Sequence, residues 1–207
     1  MNNHEKVKHW EEYEGVEVLK SIGVKEGASI IDFGCGFGHY AISASQAIGA
    51  KGKVYAVDID KRILKFAEER ISNRGISNII TVHSKERNTL DFEDDTMDII
   101  LLYDIMHGTS IDRFEFLKEV HRVLKEDGIL SILPFHLSNF RDAEGKKKKY
   151  SIKKLVQEIC DLGFQLSSKI EDRGIHFEKY HSPHYIKKGG IDFEDLERGT
   201  IVNFIKL

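Results

Sequence analysis

The sequence contains, at residues 28–38, the stretch Ala-Ser-Ile-Ile-Asp-Phe-Gly-Cys-Gly-Phe-Gly. A short apolar run ended by glycines is typical of a strand that is buried on both faces of a parallel sheet. The alanine-rich segment 40–48 that follows predicts a helix, with Gly49 at its C-terminal cap. Glycine lets the backbone approach a ligand, and a helix N-terminus offers unpaired N–H groups. We therefore predict a ligand site at the turn from Asp32 to Gly38.

Apolar runs and amphipathic segments alternate along most of the chain. Strands are predicted at 28–33, 53–57, 79–82, 97–102 and 129–133, and helices at 40–48, 61–73, 111–125 and 151–162. Because strands that alternate with helices pair in parallel through helical crossovers, we predict a doubly wound α/β sheet.

The C-terminal part departs from this alternation. Segments 164–170 and 201–207 have strand patterns with no crossover helix between them, so we expect an antiparallel hairpin at one edge of a seven-stranded sheet. The polar segment 171–200 is too long for a simple turn, and we expect it to lie over the substrate side of the site. We predict one domain, 1–207, with residues 1–22 as an N-terminal helical lid.

Composition restricts the class of protein. The chain has 207 residues, a formal charge of −3 and no apolar run long enough for a membrane span, so we expect a cytoplasmic protein without membrane insertion. Its two cysteines, Cys35 and Cys160, do not suggest a disulfide framework. The four lysines at 146–149 form a local basic run, but the acidic net charge argues against a nucleic-acid partner. We expect a monomer or homodimer.

A second acidic residue supports a nucleotide-like ligand. Asp58 ends the second predicted strand, twenty residues after Gly38. A carboxylate there can accept hydrogen bonds from the 2′ and 3′ hydroxyls of a ribose. Together with the glycine turn, Asp58 predicts a cofactor that carries adenosine.

These residues resemble the class I S-adenosylmethionine-dependent methyltransferases, whose first motif ends a strand with an acid and continues Gly-x-Gly-x-Gly. The matching residues are Asp32, Gly34, Gly36 and Gly38, and His39 stands where a dinucleotide fingerprint would need glycine. Further matches are Asp58, the segment 90–98 (LDFEDDTMD) and the segment 122–128 (RVLKEDG). The likeness covers about residues 15–163 and is greatest to the small ubiquinone and menaquinone biosynthesis methyltransferases. It implies a Rossmann-like methyltransferase fold, S-adenosylmethionine as cofactor and S-adenosylhomocysteine as product.

The resemblance also implies roles for individual residues. The backbone from Gly34 through Cys35 to Gly38 would lie along the methionine part of the cofactor, and Asp32 would orient its ammonium group. Asp58 would hold the ribose, and Ile59 would lie against the adenine.

Two further positions complete the implied cofactor site. Alignment leaves either Lys85 or Glu86 facing the adenine amino group, and we favour Glu86 because lysine has no acceptor. Tyr103, just past the fourth predicted strand, would supply a backbone carbonyl to the ammonium group.

Methyl transfer from a sulfonium is an in-line displacement, so a base is needed only for an acceptor that must lose a proton. His107 and His136 follow the fourth and fifth predicted strands, at the edge where open α/β sheets bind ligands, and are the candidate bases. The late segment contains possible metal ligands: His176, Glu178, Tyr180, His181 and His184. Their spacing matches no metal motif, so we favour an aromatic, polar cover for the acceptor and assign no metal.

The sequence therefore predicts S-adenosylmethionine-dependent methyl transfer to a small-molecule acceptor. Two alternatives stay open. One is methylation of RNA or another macromolecule, which the lysine run favours. The other is a protein that binds S-adenosylmethionine without turnover, because binding motifs do not prove catalysis.

Overall fold

The structure, a computed structural model, describes residues 1–86, 88–106, 112–137, 146 and 150–207. Its strands are β1 (Ser29–Phe33), β2 (Lys53–Asp58), β3 (Ile79–His83), β4 (Met97–Tyr103), β5 (Leu124–Leu133), β6 (Phe164–Ile175) and β7 (Arg198–Lys206). Its α-helices are α1 (Asn3–His9), α2 (Gly15–Ser21), α3 (His39–Ile48), α4 (Lys61–Asn73), α5 (Arg113–Val123), α6 (Ile152–Cys160), α7 (Glu178–His181) and α8 (Pro183–Ile186). Within the described ranges, none of the helices has the length and apolar character needed to cross a membrane.

The seven strands form one sheet in the order β3-β2-β1-β4-β5-β7-β6. The first five strands pair in parallel, and β7 runs antiparallel between β5 and β6. The predicted α/β class, with its mostly parallel sheet and antiparallel edge hairpin, is confirmed.

Each face of the sheet carries its own core, because successive side chains of a strand point to opposite faces. Ile30 packs with residues of α2 and α3, whereas Ile31 packs with residues of α5 and α6. Both side chains are fully buried, which explains why consecutive residues of β1 are apolar.

Residues 3–21 are helical. A π-helical turn, Trp10–Glu14, joins α1 to α2, and Trp10 is fully buried against Tyr40 and Phe177. The helix approaches α3 so closely that a Cβ on Gly15 would lie 2.4 Å from Ser43 Oγ. Burial of Trp10 anchors this segment to the core, and its predicted role as a lid stays a prediction.

Four element boundaries were predicted wrongly. The helix expected to reach residue 125 ends at Val123, and β5 begins at Leu124 rather than 129, with a shift of register against β4. Strand β6 extends to Ile175 and β7 begins at Arg198, so both reach into the segment 171–200 that was expected to lie between the two strands. Polar side chains at an exposed sheet edge and two register shifts hide this extension in the sequence.

The basic run at 146–149 falls largely outside the described part of the chain. Lys146 is described and is exposed. Residues 147–149 are not described, so the run carries no structural statement.

Candidate functional site

A cavity of about 530 Å³ lies at the carboxyl ends of β1 and β4. Its wall includes Asp32, the glycine turn, the ends of β4 and β6, and residues 177–178 and 181–183. This is the sheet edge where open α/β folds bind ligands. The glycine turn and the late segment, predicted separately from the sequence, therefore meet in one cavity.

The glycine turn has the backbone conformation that its sequence predicts. Gly34, Gly36 and Gly38 all have positive φ, and the N–H groups of Gly34 and Cys35 donate to the carbonyl of Val57 at the end of β2. A Cβ built on Gly36 would have no protein atom within 4 Å. Gly36 thus leaves open space in the wall of the cavity.

Asp32 lies at the base of this cavity and is only 3% exposed. Its Oδ2 atom is buried and accepts no hydrogen bond from any described residue. Burial raises the pKa of Asp32 to about 7; a hydrogen bond from the Ala41 N–H opposes the shift, and the nearby charge of Asp58 adds to it. The site offers an unsatisfied carboxylate to a positively charged ligand.

Asp58 stabilises the glycine turn by a hydrogen bond to its backbone. Its carboxylate accepts from the N–H of Gly36 at 3.0 Å and from the N–H of Asp60 at 2.9 Å. Neither Asp58 nor Ile59 lines the main cavity, and the Ile59 side chain is exposed. Asp58 is thus positioned beside the turn, at the end of β2, as the sequence predicts.

The residues predicted to face adenine lie apart from the main cavity. Lys85 and Glu86 are both exposed and line a separate depression of about 330 Å³ beyond β3. The backbone carbonyl of Glu86 accepts from the Ser84 hydroxyl at 2.5 Å. The structure therefore does not choose between Lys85 and Glu86.

Tyr103 and Cys35 both line the cavity. Tyr103 is the last residue of β4 rather than the first residue after it, and its hydroxyl lies 2.9 Å from Ser131 Oγ. Burial, together with the charge of Asp32, raises the pKa of the Cys35 thiol well above its usual value. Cys35 is therefore a neutral wall residue and not a nucleophile.

A buried ionic cluster, which the sequence did not predict, packs against the glycine turn. Glu11 is fully buried in the π-helical turn, and its carboxylate pairs with His39 Nδ1 at 2.5 Å and with Arg70 and Arg74 of α4. Arg70 also donates to the carbonyl of Phe37 inside the glycine turn. The cluster ties the N-terminal helix, α3 and α4 together.

The charges in this cluster are fixed by its geometry. Burial would raise the pKa of Glu11, but the hydrogen bonds and charges of His39 and Arg70 lower it to about 2. Burial lowers the pKa of His39 to about 4 despite the opposing effect of Glu11. Neutral His39 therefore donates its Nδ1–H to an ionised Glu11, and its Nε2 accepts.

His181 connects this cluster to the late segment. Its Nε2 lies 2.7 Å from Nε2 of His39, and its ring stacks on Phe37 with centroids 3.6 Å apart. Burial and the neighbouring His39 lower the pKa of His181 to about 3. Helix α7 is thus held against the glycine turn by two neutral imidazoles.

A second cluster lies where β4, β5 and β6 end. Asp104 Oδ1 is 2.9 Å from Nδ1 of His136, and Asp104 Oδ2 is 2.7 Å from Nε2 of His176. Glu178 Oε2 lies 3.2 Å from the same Nε2 of His176. Burial would lower the pKa of His176, but hydrogen bonds with Asp104 and Glu178 raise it to about 9.

The candidate bases and the possible metal ligands are distributed as follows. His136 belongs to the second cluster, whereas His107 lies outside the described residues. Of the late residues, His176 and Glu178 join that cluster, His181 contacts His39, and His184 is exposed. Asp104 was missed because it follows β4 with no recognisable motif, and only the fold brings it to His176.

Comparison with known proteins places the chain among methyltransferases. The structure resembles the SAM-dependent methyltransferase from Aquifex aeolicus, with a TM-score of 0.71, 25% identity and 98% of each chain covered. The sequence is 30% identical over 191 residues to the ubiquinone/menaquinone biosynthesis C-methyltransferase UbiE of Marinomonas sp. (strain MWYL1), covering 89% of this chain and 72% of that protein.

A shorter match is found with the demethylmenaquinone methyltransferase of Geobacillus stearothermophilus. It is 31% identical over 113 residues, which is 55% of this chain and 47% of that protein. The chain thus spans about half the length of such curated relatives. The model of the ubiE/COQ5 methyltransferase family matches residues 1–156, and the chain belongs to that family.

Proposed function

We propose that this protein transfers a methyl group from S-adenosylmethionine to a small-molecule acceptor that binds in the 530 Å³ cavity. The observation that carries the proposal is that one cavity joins Asp32 and the glycine turn to Asp104, His176 and residues 181–183. Such a cavity can hold a cofactor and an acceptor in contact, which an in-line displacement requires.

Family membership identifies S-adenosylmethionine as the cofactor. The residues present fit it: the unsatisfied, buried Asp32 Oδ2 suits an ammonium group, and the open space at Gly36 leaves room for the ligand beside the backbone. Asp58 would hold the ribose hydroxyls through the lone pairs that its two backbone hydrogen bonds leave available.

The remaining cofactor contacts are proposed as the resemblance implies. Ile59 would cover one face of the adenine and Glu86 would accept from its amino group. The carbonyl of Tyr103 and the backbone at Cys35 would complete the wall around the methionine part.

When bound, the cofactor supplies a methyl group on a positively charged sulfur, which is already activated for displacement. The chain then has to orient the acceptor and exclude water. Phe37, Phe177 and Pro183 line the cavity beside His181, and we propose that this late segment, within residues 171–200, covers the acceptor. His107 and His136 are proposed as bases for an acceptor that must lose a proton.

We infer a hydroxylated ring as the acceptor class. The relatives are named as a demethylmenaquinone methyltransferase and a ubiquinone/menaquinone biosynthesis C-methyltransferase. A quinol is small and flat, and it presents hydroxyl groups that Asp104 and His176 can contact from the cavity wall. A location in the cytoplasm and a monomeric or dimeric state stay predictions.

A turnover assay tests this proposal. The purified chain is incubated with S-adenosylmethionine and a panel of reduced naphthoquinones and benzoquinones, and both S-adenosylhomocysteine and methylated product are measured by mass spectrometry. We expect S-adenosylhomocysteine to form faster with at least one quinol than without acceptor, and Asp32→Asn to abolish the difference. Cofactor binding without turnover on any acceptor would favour the non-catalytic alternative.

A further inference from the structure

Asp104, His136, His176 and Glu178 bring four potential metal ligands together from three strand ends and α7. One ligand atom from each lies within 4.8 Å of the others. Imidazole nitrogen and carboxylate oxygen are the donors that zinc, iron and manganese use when a site also binds substrate. A single ion between these atoms would need only small side-chain adjustments.

Two of these four residues have a strained backbone conformation. Asp104 has φ of 57° and His136 has φ of 56°, a left-handed conformation that is unfavourable for residues with a Cβ. Both residues lie just beyond the ends of parallel strands. Asp104 directly follows β4, and His136 lies two residues beyond the proline that follows β5. In these conformations Asp104 presents one carboxylate oxygen to each histidine.

His176 is the most buried of the four residues. It is 2% exposed, its Nε2 faces Asp104, and its ring stacks on Phe135. The opposite ring nitrogen, Nδ1, lies 3.7 Å from the carboxylate of Glu197, which is held by Lys179 at 2.6 Å. This separation is too long for a hydrogen bond, and Nδ1 is buried without a hydrogen-bond partner among the described residues.

We propose that Asp104, His136 and His176 bind a divalent transition-metal ion in the wall of the cavity, with Glu178 as a fourth ligand that an acceptor oxygen displaces. Two imidazoles and one carboxylate bind such an ion while leaving positions open. The exposed Glu178 side chain can leave readily, since it stands in the short helix α7. This set differs from the late-segment set considered from the sequence, because it adds Asp104 and His136 and excludes Tyr180, His181 and His184. With an ion bound, His136 would be a ligand and not the base proposed above.

The proposed ion would give the cavity a chemical preference. A hydroxyl oxygen bound to a divalent ion loses its proton near neutral pH, so the site would take acceptors with a hydroxyl or phenol group. The proton passes to solvent, and the oxygen retains its electron pair and stays bound to the ion. This choice of acceptor rests on the proposed methyl transfer, whereas the metal site itself rests only on the geometry of the cluster.

The test is metal binding by the untagged full chain after treatment with a chelator. Zn²⁺ is titrated by calorimetry, Co²⁺ by its visible ligand-field absorption, and Mg²⁺ serves as the control ion. We expect one Zn²⁺ per chain, a Co²⁺ absorption band and no Mg²⁺ binding. Asp104→Asn and His176→Gln should each weaken Zn²⁺ binding about 10-fold or more.

Two variants keep the test interpretable. Glu178→Gln changes an exposed side chain and should alter the Co²⁺ band. His184→Gln replaces an exposed histidine of α8 outside the cluster and should bind Zn²⁺ like the wild type. Absence of Zn²⁺ and Co²⁺ binding, or equal loss in His184→Gln, would overturn the proposal.

The same samples separate the two proposals. Zn²⁺ binding by a chain that fails to bind S-adenosylhomocysteine would support the metal site and contradict the proposed function. S-adenosylhomocysteine binding by a chain that takes up neither ion would overturn the metal site and leave methyl transfer intact.

Discussion

Nε2 of His39 lies 2.7 Å from Nε2 of His181, so the first residue of α3 is directly joined to the last residue of α7. One nitrogen must donate and the other must accept. Because His39 already donates through Nδ1 to Glu11, its Nε2 accepts and His181 donates. Protonation of His39 would place two donors opposite each other and break this link.

The link predicts an acid-sensitive contribution to stability. His181 has its ordinary pKa when unfolded and a pKa of about 3 when folded, so the unfolded state binds more protons between about pH 6.5 and pH 3. The stability supplied by this residue is therefore lost as pH falls through that window. His181→Phe keeps an aromatic ring against Phe37 but removes the group that takes up the proton.

The measured quantity is the difference in stability between the variant and the wild type. Asp32 and His176 have raised pKa values in the folded state, so their contributions to stability grow as pH falls and would mask that of His181 in the wild type alone. The free energy of unfolding of His181→Phe minus that of the wild type should rise by about 1 to 2 kcal/mol from pH 7 to pH 4. Urea unfolding at pH 7, 5.5 and 4 measures it. A difference that is flat or falls toward low pH would contradict the assigned protonation states.

The Glu11 cluster predicts a large effect from a residue far from the chemistry. Glu11→Ala leaves Arg70, Arg74 and His39 without their shared carboxylate, and should lower the free energy of unfolding by about 3 to 5 kcal/mol. Glu17→Ala, an exposed change on the neighbouring helix α2, should stay within about 0.5 kcal/mol of the wild type. Equal stabilities of the two variants in urea would show that the cluster contributes nothing.

Gly36 and Gly27 form a matched pair for testing the turn. Gly36 and Gly27 both have positive φ and no protein atom within 4 Å of a built Cβ, but only Gly36 lines the cavity. Alanine at either position should cost about 1 kcal/mol of stability. Only Gly36→Ala should also weaken S-adenosylhomocysteine binding, by about 10-fold or more. Equal affinities in calorimetry would argue against a ligand at this turn.

Asp32 predicts a pH dependence of cofactor binding. Its pKa of about 7 means that the carboxyl is largely protonated at pH 6 and ionised at pH 8. Because the ammonium group pairs with the ionised form, affinity for S-adenosylhomocysteine should fall about 10-fold from pH 8 to pH 6. Asp32→Asn should bind weakly at both pH values, and a wild-type affinity that does not change would contradict the assigned role.

Much of the fold could be predicted because its signals are local. Ile30, Ile31 and Phe33 are apolar because both faces of β1 are covered, and the turn glycines are required by positive φ. The extension of β6 to Ile175 could not be predicted, because its polar residues lie on an exposed edge and resemble a loop.

The site was predicted only in part for a related reason. Asp32, the turn glycines and Asp58 lie at strand ends with a readable spacing. The contacts from Glu11 to His39, and from Asp104 to His176, join residues 28 and 72 positions apart and depend on the packed tertiary structure. No periodicity in the sequence marks such pairs.

Calorimetric titration with S-adenosylhomocysteine, with NAD as the control ligand, tests the central claim most directly. We predict that the wild type binds S-adenosylhomocysteine and not NAD, that Asp58→Ala loses this binding, and that Asp60→Asn, which retains a cap for α4, keeps it. Absence of S-adenosylhomocysteine binding, or a preference for NAD, would contradict the assignment of the glycine turn and Asp58 as the cofactor site.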